Sequence, residues 1–423
     1  LQDNPVPSGG ARSQRRAWLV WSLAASAFGY AFFQRVMPGA MADDLMRDFA
    51  IGGALLGTLS ALYFYPYVFL QVPLGAMIDQ IGARILMSGA LSIAAVGSVL
   101  FAISDTLWLA YIGRTMIGIG SAVGFLGSLA IAGKWFPPRR FAFLAGLAMF
   151  FAMISGMLGQ APLALFVSEY GWRTSVMATG LFGAGLALLI FAVVRDSPSS
   201  THGANPKLNW KNVGRGLWAA ARLLRVWHIA LVAMAMSGPM LTIAGLWGTP
   251  YLSATYNLSK PEAAFYVSLL LLGWAFGAPF WGWLSDYTGQ LKALLVWPAL
   301  CVTLLLAMVC FVPNLPLWLT VSCFTGVGFF GSCMPITFAL GRKVTSPEIS
   351  GSVTGIINSA TVLSGAVLQP AVGYVLDRLW NGVLIDGSRH YQAQDYQTGF
   401  ILVFAMAAAG FVFALFLKET PAN

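Results

Sequence analysis

Charge is the scarcest commodity in this sequence. Only 9% of its 423 residues are Asp, Glu, Lys or Arg, and 58% are hydrophobic, whereas an ordinary soluble domain carries about 25% charged residues. Such a chain calls for lipid as its solvent, in keeping with a mean hydropathy of +0.74. The sequence also lacks a G-x-x-x-x-G-K-[ST] phosphate loop, a G-x-S-x-G elbow and any His/Cys cluster. ATP-driven pumping and membrane hydrolysis therefore have nothing to work with, and neither catalytic chemistry, a cofactor nor a metal is expected. Cysteine is rare: Cys301, Cys310, Cys323 and Cys333 lie in apolar stretches without CxxC spacing and read as small core hydrophobes. None of His202, His228 and His390 falls at a span centre, so none has the position of a proton relay.

What is present is a series of apolar runs near the ~20 residues that cross a bilayer core. We place spans at 17–41, 53–73, 86–104, 107–132, 142–166 and 174–194, then at 227–250, 262–284, 293–313, 317–340, 351–376 and 398–417. These make an all-α membrane protein of twelve helices in two six-helix sets. The expected organisation is a tail at 1–16, a first bundle at 17–195, a linker at 196–226, a second bundle at 227–417 and a tail at 418–423. Arg12, Arg15 and Arg16 lead into a run too long for a cleaved leader, so the first helix should remain as an anchor. Pro38, Pro73, Pro162, Pro239, Pro250, Pro279, Pro335 and Pro370 are natural bending points inside the runs. Most Lys and Arg fall in the segments that share a side with the N-terminus, which puts both termini in the cytoplasm. Topology thus accounts for the net charge of +9 without a nucleic-acid partner. In the linker, Trp210, Val213, Leu217, Ala221 and Leu224 form one stripe beside Lys211, Arg215, Arg222 and Arg225, as in a helix lying on an anionic leaflet.

The halves repeat each other. Gly75, Asp79, Gly82 and Arg84 follow the second span, while Gly282, Asp286, Gly289 and Lys292 follow the eighth, both as G-x-x-x-D-x-x-G with a later cation. Gly118 and Gly120 in the fourth span recur as Gly326 and Gly328 in the tenth, at nearly the same offset. The loop from Gly75 to Arg84 resembles the signature between the second and third helices of the major facilitator superfamily, and Arg114 to Gly120 resembles its fourth-helix motif. The stretch from Tyr30 to Asp48 also resembles a bacterial branch distantly similar to lysosomal dipeptide carriers. The resemblance implies two bundles rocking about a central site lined by helices one, four, seven and ten. It further implies a cytoplasmic latch at Gly75, Asp79, Gly82, Arg84 and Asp286; a solvated turn is the plainer alternative. The fifth helix, from Gly146 to Pro162, lacks the G-P-x-x-G-G ending of the family's proton-driven drug antiporters.

Only Arg35 and Arg114 are charges set clearly within spans, where each needs a reason. A guanidinium offers a planar fork to carboxylate or phosphate and cannot discharge itself. Both point to an anionic or zwitterionic solute; alternatively, Arg114 pairs with Asp43 or Asp44, or caps carbonyls, and holds the bundle. Tyr30 and Gln34 lie beside Arg35, and Trp247, Tyr251 and Trp274 offer stacking surface, though interfacial belts use the same residue types. Asn358, Thr361, Gly365 and Gln369 share one face of the eleventh span, a polar stripe that requires an interior. No carboxylate falls mid-span, which favours facilitated diffusion or exchange over proton symport unless Asp43 or Asp44 is drawn in by an arginine.

The expectation is a monomeric secondary active or facilitative transporter of the inner membrane. It takes a small polar solute such as a carboxylate, amino acid, small peptide or metal-chelating acid. A lipid flippase, or a sensor or assembly partner that no longer transports, would keep the same fold.

Overall fold

The computed structural model describes residues 11–197, 210–346 and 349–419. The tail before residue 11, the linker at 198–209 and the chain end after 419 lie outside the described residues, as do the side chains of Asp79, Trp210, Lys211 and Val213.

Among the described residues, ten helical stretches are long and apolar enough to cross a membrane. One of them, Phe143–Val193, is 51 residues long and reverses at Gly171, whose φ of 80° is left-handed, so it supplies two spans. Adding the 26-residue helix Ala11–Val36 completes twelve. The second span is Gly53–Ala61 with Phe64–Ile81, the third Ala83–Ala102, and the fourth Leu107–Ser121 with Gly124–Trp135. Phe141–Leu158 and 161–170 make the fifth, and 172–193 the sixth. The second half runs through the seventh span (Leu224–Thr242, Ile243–Trp247, Gly248–Tyr256), the eighth (Lys260–Thr288) and the ninth (Ala293–Phe311). It ends with the tenth (Leu317–Gly331, Ile336–Lys343), the eleventh (Ser350–Leu379) and the twelfth (Ala393–Leu415). We call the side where the first span begins and the twelfth ends the terminal face, and the opposite side the far face.

The expected bending points divide: Pro38, Pro162, Pro250 and Pro335 lie at or beside a break, and the other four do not. Pro73, Pro239, Pro279 and Pro370 sit inside continuous helices, because neighbouring helices satisfy the carbonyl that proline leaves free. Among the expected bending points, Pro38 lies in the 3-10 turn Met37–Met41 and Pro335 directly precedes Ile336–Lys343. Other breaks fall at 62–63, at Gly159-Gln160 and in the π-helical turn Ile243–Trp247.

Small residues let the spans touch. A Cβ on Gly118 would lie 2.3 Å from the carbonyl oxygen of Tyr63, and one on Gly328 2.0 Å from that of Leu270. These contacts set the fourth span on the second and the tenth on the eighth, while Gly120 faces Ala90 of the third span and Gly326 faces Leu305 of the ninth, so all four glycines of the repeat are packing positions. The repeat extends to helix starts: the Asp196 carboxylate accepts from the Arg84 amide at 2.9 Å, and Glu419 accepts from the Lys292 amide. Each half thereby caps the N-terminus of its third helix with an acid placed just beyond its sixth. All four cysteines are free thiols, three of them buried. The linker helix Trp210–Ala221 packs its buried Ala220 inward and has Gly216 against Ser352 at the start of the eleventh span.

Candidate functional site

Arg35 stands in the last turn of the first span and is 6% exposed. Its guanidinium carbon lies 4.6 Å from the ring centre of Phe32, 5.2 Å from Tyr67, 5.6 Å from Tyr63 and 6.0 Å from Phe64. The second span contributes three of these rings because Tyr63, Phe64 and Tyr67 recur at helical spacing on one face. Arg114, from the fourth span, is wholly buried and lies 5.0 Å from Tyr63, so the two guanidinium groups share one ring. The Tyr63 hydroxyl donates to the Ala31 carbonyl at 2.8 Å, which fixes the ring between them.

Arg114 Nη1 donates to the Gln34 carbonyl at 2.7 Å. Its Nε and Nη2, and the Nε of Arg35, are buried with no hydrogen-bond partner. Among the described residues neither arginine has a carboxylate partner; Asp43 and Asp44 instead meet Lys260 at 3.5 and 3.1 Å, and Asp44 meets Arg47 at 3.1 Å. Cation–π contact returns about 0.5–2 kcal/mol per cation, whereas an unsatisfied buried donor costs about 1–3 kcal/mol. The arrangement therefore has two positive charges and three unpartnered guanidinium nitrogens, and among the described residues it lacks a counter-charge. A carboxylate or phosphate group would supply both the charge and the acceptors.

Tyr30 and Gln34 turn the other way. Gln34 Nε2 donates to the Tyr30 hydroxyl at 2.7 Å and contacts Ser98 and Thr179 at 3.1 and 3.3 Å, within the first half. Tyr30 also lines a cavity of about 530 Å³ between the first, fifth and sixth spans, bordered by exposed Phe151, Leu158 and Phe182. Asn358 donates to Gln71 at 2.9 Å across the two halves, and Gly365 packs against the Phe64 ring. Gln369 donates to the Leu241 carbonyl at 2.7 Å while its own carbonyl accepts from Trp247 Nε1 at 2.9 Å. Trp247 is fully buried with its N–H engaged, Tyr251 packs on Phe400, and Trp274 is buried against Gly331. Of the expected set, Arg35 and Arg114 meet around Tyr63, Gln34 joins Tyr30 and, through its main-chain carbonyl, Arg114, and Trp247 meets Gln369; Trp274 and Asn358 lie apart from these groups.

Polar groups that the sequence did not single out close the far face. Asp377, at the end of the eleventh span, accepts from the amides of Gly53 and Ala54 at 2.8 and 2.9 Å, and so caps the second span of the other half. Arg389 and the Tyr391 hydroxyl hold that carboxylate at 3.0 and 2.6 Å. Gln160, at the break in the fifth span, donates to the Ala244 carbonyl in the π-helical turn at 2.5 Å. The Gly53 and Gly373 backbones meet so closely that a Cβ on Gly373 would lie 2.1 Å from the Gly53 carbonyl. A cue existed for Asp377 alone: an acid at a span end beside Arg378 and near Arg389.

Described bonds between the halves run from the far face to Gln71–Asn358 and Ser359–Val68, and stop there. The latch candidates lie beyond that limit. Arg84 stays in its own half, its Nε on the Phe191 carbonyl at 2.8 Å and its guanidinium 4.6 Å from the Phe191 ring. Gly82 is left-handed with φ 91°, Gly75 has open space around it, and Asp286 is exposed beside left-handed Gly289.

The family model described as Major Facilitator Superfamily matches residues 23–368 and again 230–423. The chain is 24% identical to the membrane sensor protein UhpC of Salmonella typhimurium over 93% of this chain and 90% of that one. It is 22% identical to a D-galactonate transporter of Escherichia coli over 88% and 91% of the two chains. In fold it is similar to a bacterial homologue of the human lysosomal transporter Spinster, solved in an inward-facing and occupied conformation. That likeness has a TM-score of 0.78 at 16% identity and covers 97% of each chain.

Proposed function

This chain belongs to the major facilitator superfamily, and from that footing we propose that it carries a small organic anion or zwitterion, carboxylates first, by alternating access across the inner membrane. The observation that carries this reading is the unpartnered pair Arg35 and Arg114 around Tyr63. A relative named for D-galactonate, itself a carboxylate, supports the same class.

The terminal face is cytoplasmic on this reading, because it carries the lysine- and arginine-rich segments. The described conformation is then sealed outside and parted inside, and Arg35 and Arg114, level with Tyr63 and Tyr67, lie within the sealed part, with Ser359–Val68 and Asn358–Gln71 joining the halves on their cytoplasmic side. Gly75, Asp79, Gly82, Arg84 and Asp286 act as a latch in the opposite state, when the halves meet on the cytoplasmic side. With Asp43 and Asp44 engaged by Lys260 and Arg47, no carboxylate beside the arginines is free to carry a proton. Transport therefore proceeds by facilitated diffusion or exchange.

Counterflow in proteoliposomes tests this. An anionic solute should exchange without a pH gradient, Arg35→Ala should abolish exchange, and Arg35→Lys should restore it poorly because a point charge does not replace a fork. Full exchange by the alanine variant would overturn the assignment. The side cavity beside Tyr30 supports a second reading, translocation of a lipid along the flank of the first half; phospholipid scrambling in the same vesicles, without solute exchange, would select it.

A further inference from the structure

The ends of the seventh, tenth and twelfth spans enclose a cavity of about 360 Å³ at the terminal face, remote from the arginine pair. Its lining combines two chemistries. Arg225, His228 and Lys418 supply polar, cationic or protonatable groups, and Leu224, Phe413 and Phe416 supply apolar surface. The apolar part faces outward, with Leu224 68% and Phe416 66% exposed, and both belong to or adjoin bilayer-crossing helices. The His228 ring stacks on Phe413 with centres 5.9 Å apart. No described acid lines the cavity, and neither Arg225 nor Lys418 forms an ion pair among the described residues. The acid next in sequence, Glu419, is engaged by the Lys292 amide at the start of the ninth span.

We propose that this cavity binds one anionic phospholipid, of the phosphatidylglycerol or cardiolipin class, with its phosphate on Arg225 and Lys418 and an acyl chain against Leu224 and Phe416. Charge complementarity selects this occupant over a zwitterionic lipid. Two unpaired cations converge at headgroup depth, and a guanidinium fork binds phosphate in two-point fashion. An apolar body alone would fill the rim and leave the cations without a partner. Trp227 strengthens the frame: it is half-exposed, and its Nε1 donates to the Ala221 carbonyl at 2.7 Å, tying the linker helix to the start of the seventh span. A lipid seated here would join the seventh span, the end of the tenth and the twelfth. The proposal goes beyond the solute site and does not depend on it.

The test is native mass spectrometry of the full chain released from nanodiscs of equal phosphatidylglycerol and phosphatidylcholine. Wild-type protein should retain one phosphatidylglycerol in about thirtyfold preference, as two cations near the headgroup supply. The double variant Arg225→Gln, Lys418→Gln should lose the preference. A control pair on the same face outside the cavity, Arg139→Gln with Lys343→Gln, should keep it. Equal retention of the two lipids by wild type, an unchanged double variant, or an equal loss in the control would overturn the site in favour of bulk surface charge. Should the double variant not fold, a photoactivatable phosphatidylglycerol on wild-type protein decides. Crosslinks should fall on 224–229, on Val344 and on 413–418, and crosslinks scattered over the other helix ends would refute the proposal. Solute counterflow in phosphatidylcholine alone separates this result from the fate of the transport reading.

Discussion

Arg35 and Arg114 are the two side chains whose surroundings make least sense without a ligand. Each is buried, each leans on Tyr63, and between them three guanidinium nitrogens have no acceptor. Asp48 shows how the chain treats a charge meant for structure. It lies in the helix Ala42–Phe49 between the first two spans, accepts from Trp172 Nε1 at 2.8 Å and from Arg173, and meets Arg47 at 3.0 Å. Partial burial pushes its carboxyl upward, but the hydrogen bonds from Trp172, Arg173 and Arg47 outweigh that and hold it below the usual range. The sign follows: a depressed folded-state pKa contributes stability that is present above the unfolded value, about 3.9, and is lost as pH falls through the folded value. Thermal melts should show this contribution unchanged from pH 7 to 5 and declining below about 4. Asp48→Asn should cost about 1 kcal/mol at neutral pH and flatten the acid decline; an identical acid profile in the variant would remove Asp48 from the account. The arginines could be read from sequence because a charge in an apolar run stands out. Tyr63 and Tyr67 could not, since an aromatic inside an apolar run looks the same whether it packs a core or cradles a cation.

At the scale of elements, spans were legible because length and apolarity are properties of the segment itself, as with Ala293–Phe311 and Lys260–Thr288. Breaks were not. The interruption at Gly159-Gln160 exists to bring Gln160 to Ala244, and the π-helical turn Ile243–Trp247 supplies that free carbonyl; both depend on a partner in the other half. On the far face a carboxylate of one half caps a helix of the other, Asp377 on Gly53 and Ala54. Asp377→Asn replaces one charged acceptor with a neutral group and keeps the size. It should therefore shift the carrier towards the state open at the far face, by about 1–2 kcal/mol or 5–30-fold in population. Spin-label distances between the far ends of the second and eleventh spans should lengthen in the variant. Unchanged distances would mean that glycine packing at Gly53 and Gly373 closes that face unaided.

For the whole molecule, the repeat was the strongest sequence signal, and it acquires a physical meaning in the contacts Gly118–Tyr63 and Gly328–Leu270 and in the caps Asp196 and Glu419. What one sequence could not give was the arrangement of the halves, because the same helices must serve two arrangements. The topology is open to test with single cysteines at Arg139 and Asp386, both exposed, in a version without native cysteines. An impermeant reagent should reach them from opposite sides of the membrane, Arg139 from the cytoplasm. Labelling from one side would break the twelve-span account. The central claim, that Arg35 and Arg114 await an anion, is tested most directly by thermal shift of purified protein against carboxylates, sulfonates, phosphate esters, amino acids and dipeptides. A ligand at 100 times its dissociation constant stabilises the folded state by about 2.7 kcal/mol. The account predicts that at least one organic anion raises the melting temperature of wild-type protein and leaves folded Arg35→Ala unmoved. Stabilisation of both proteins to the same extent, or by neutral solutes alone, would contradict it.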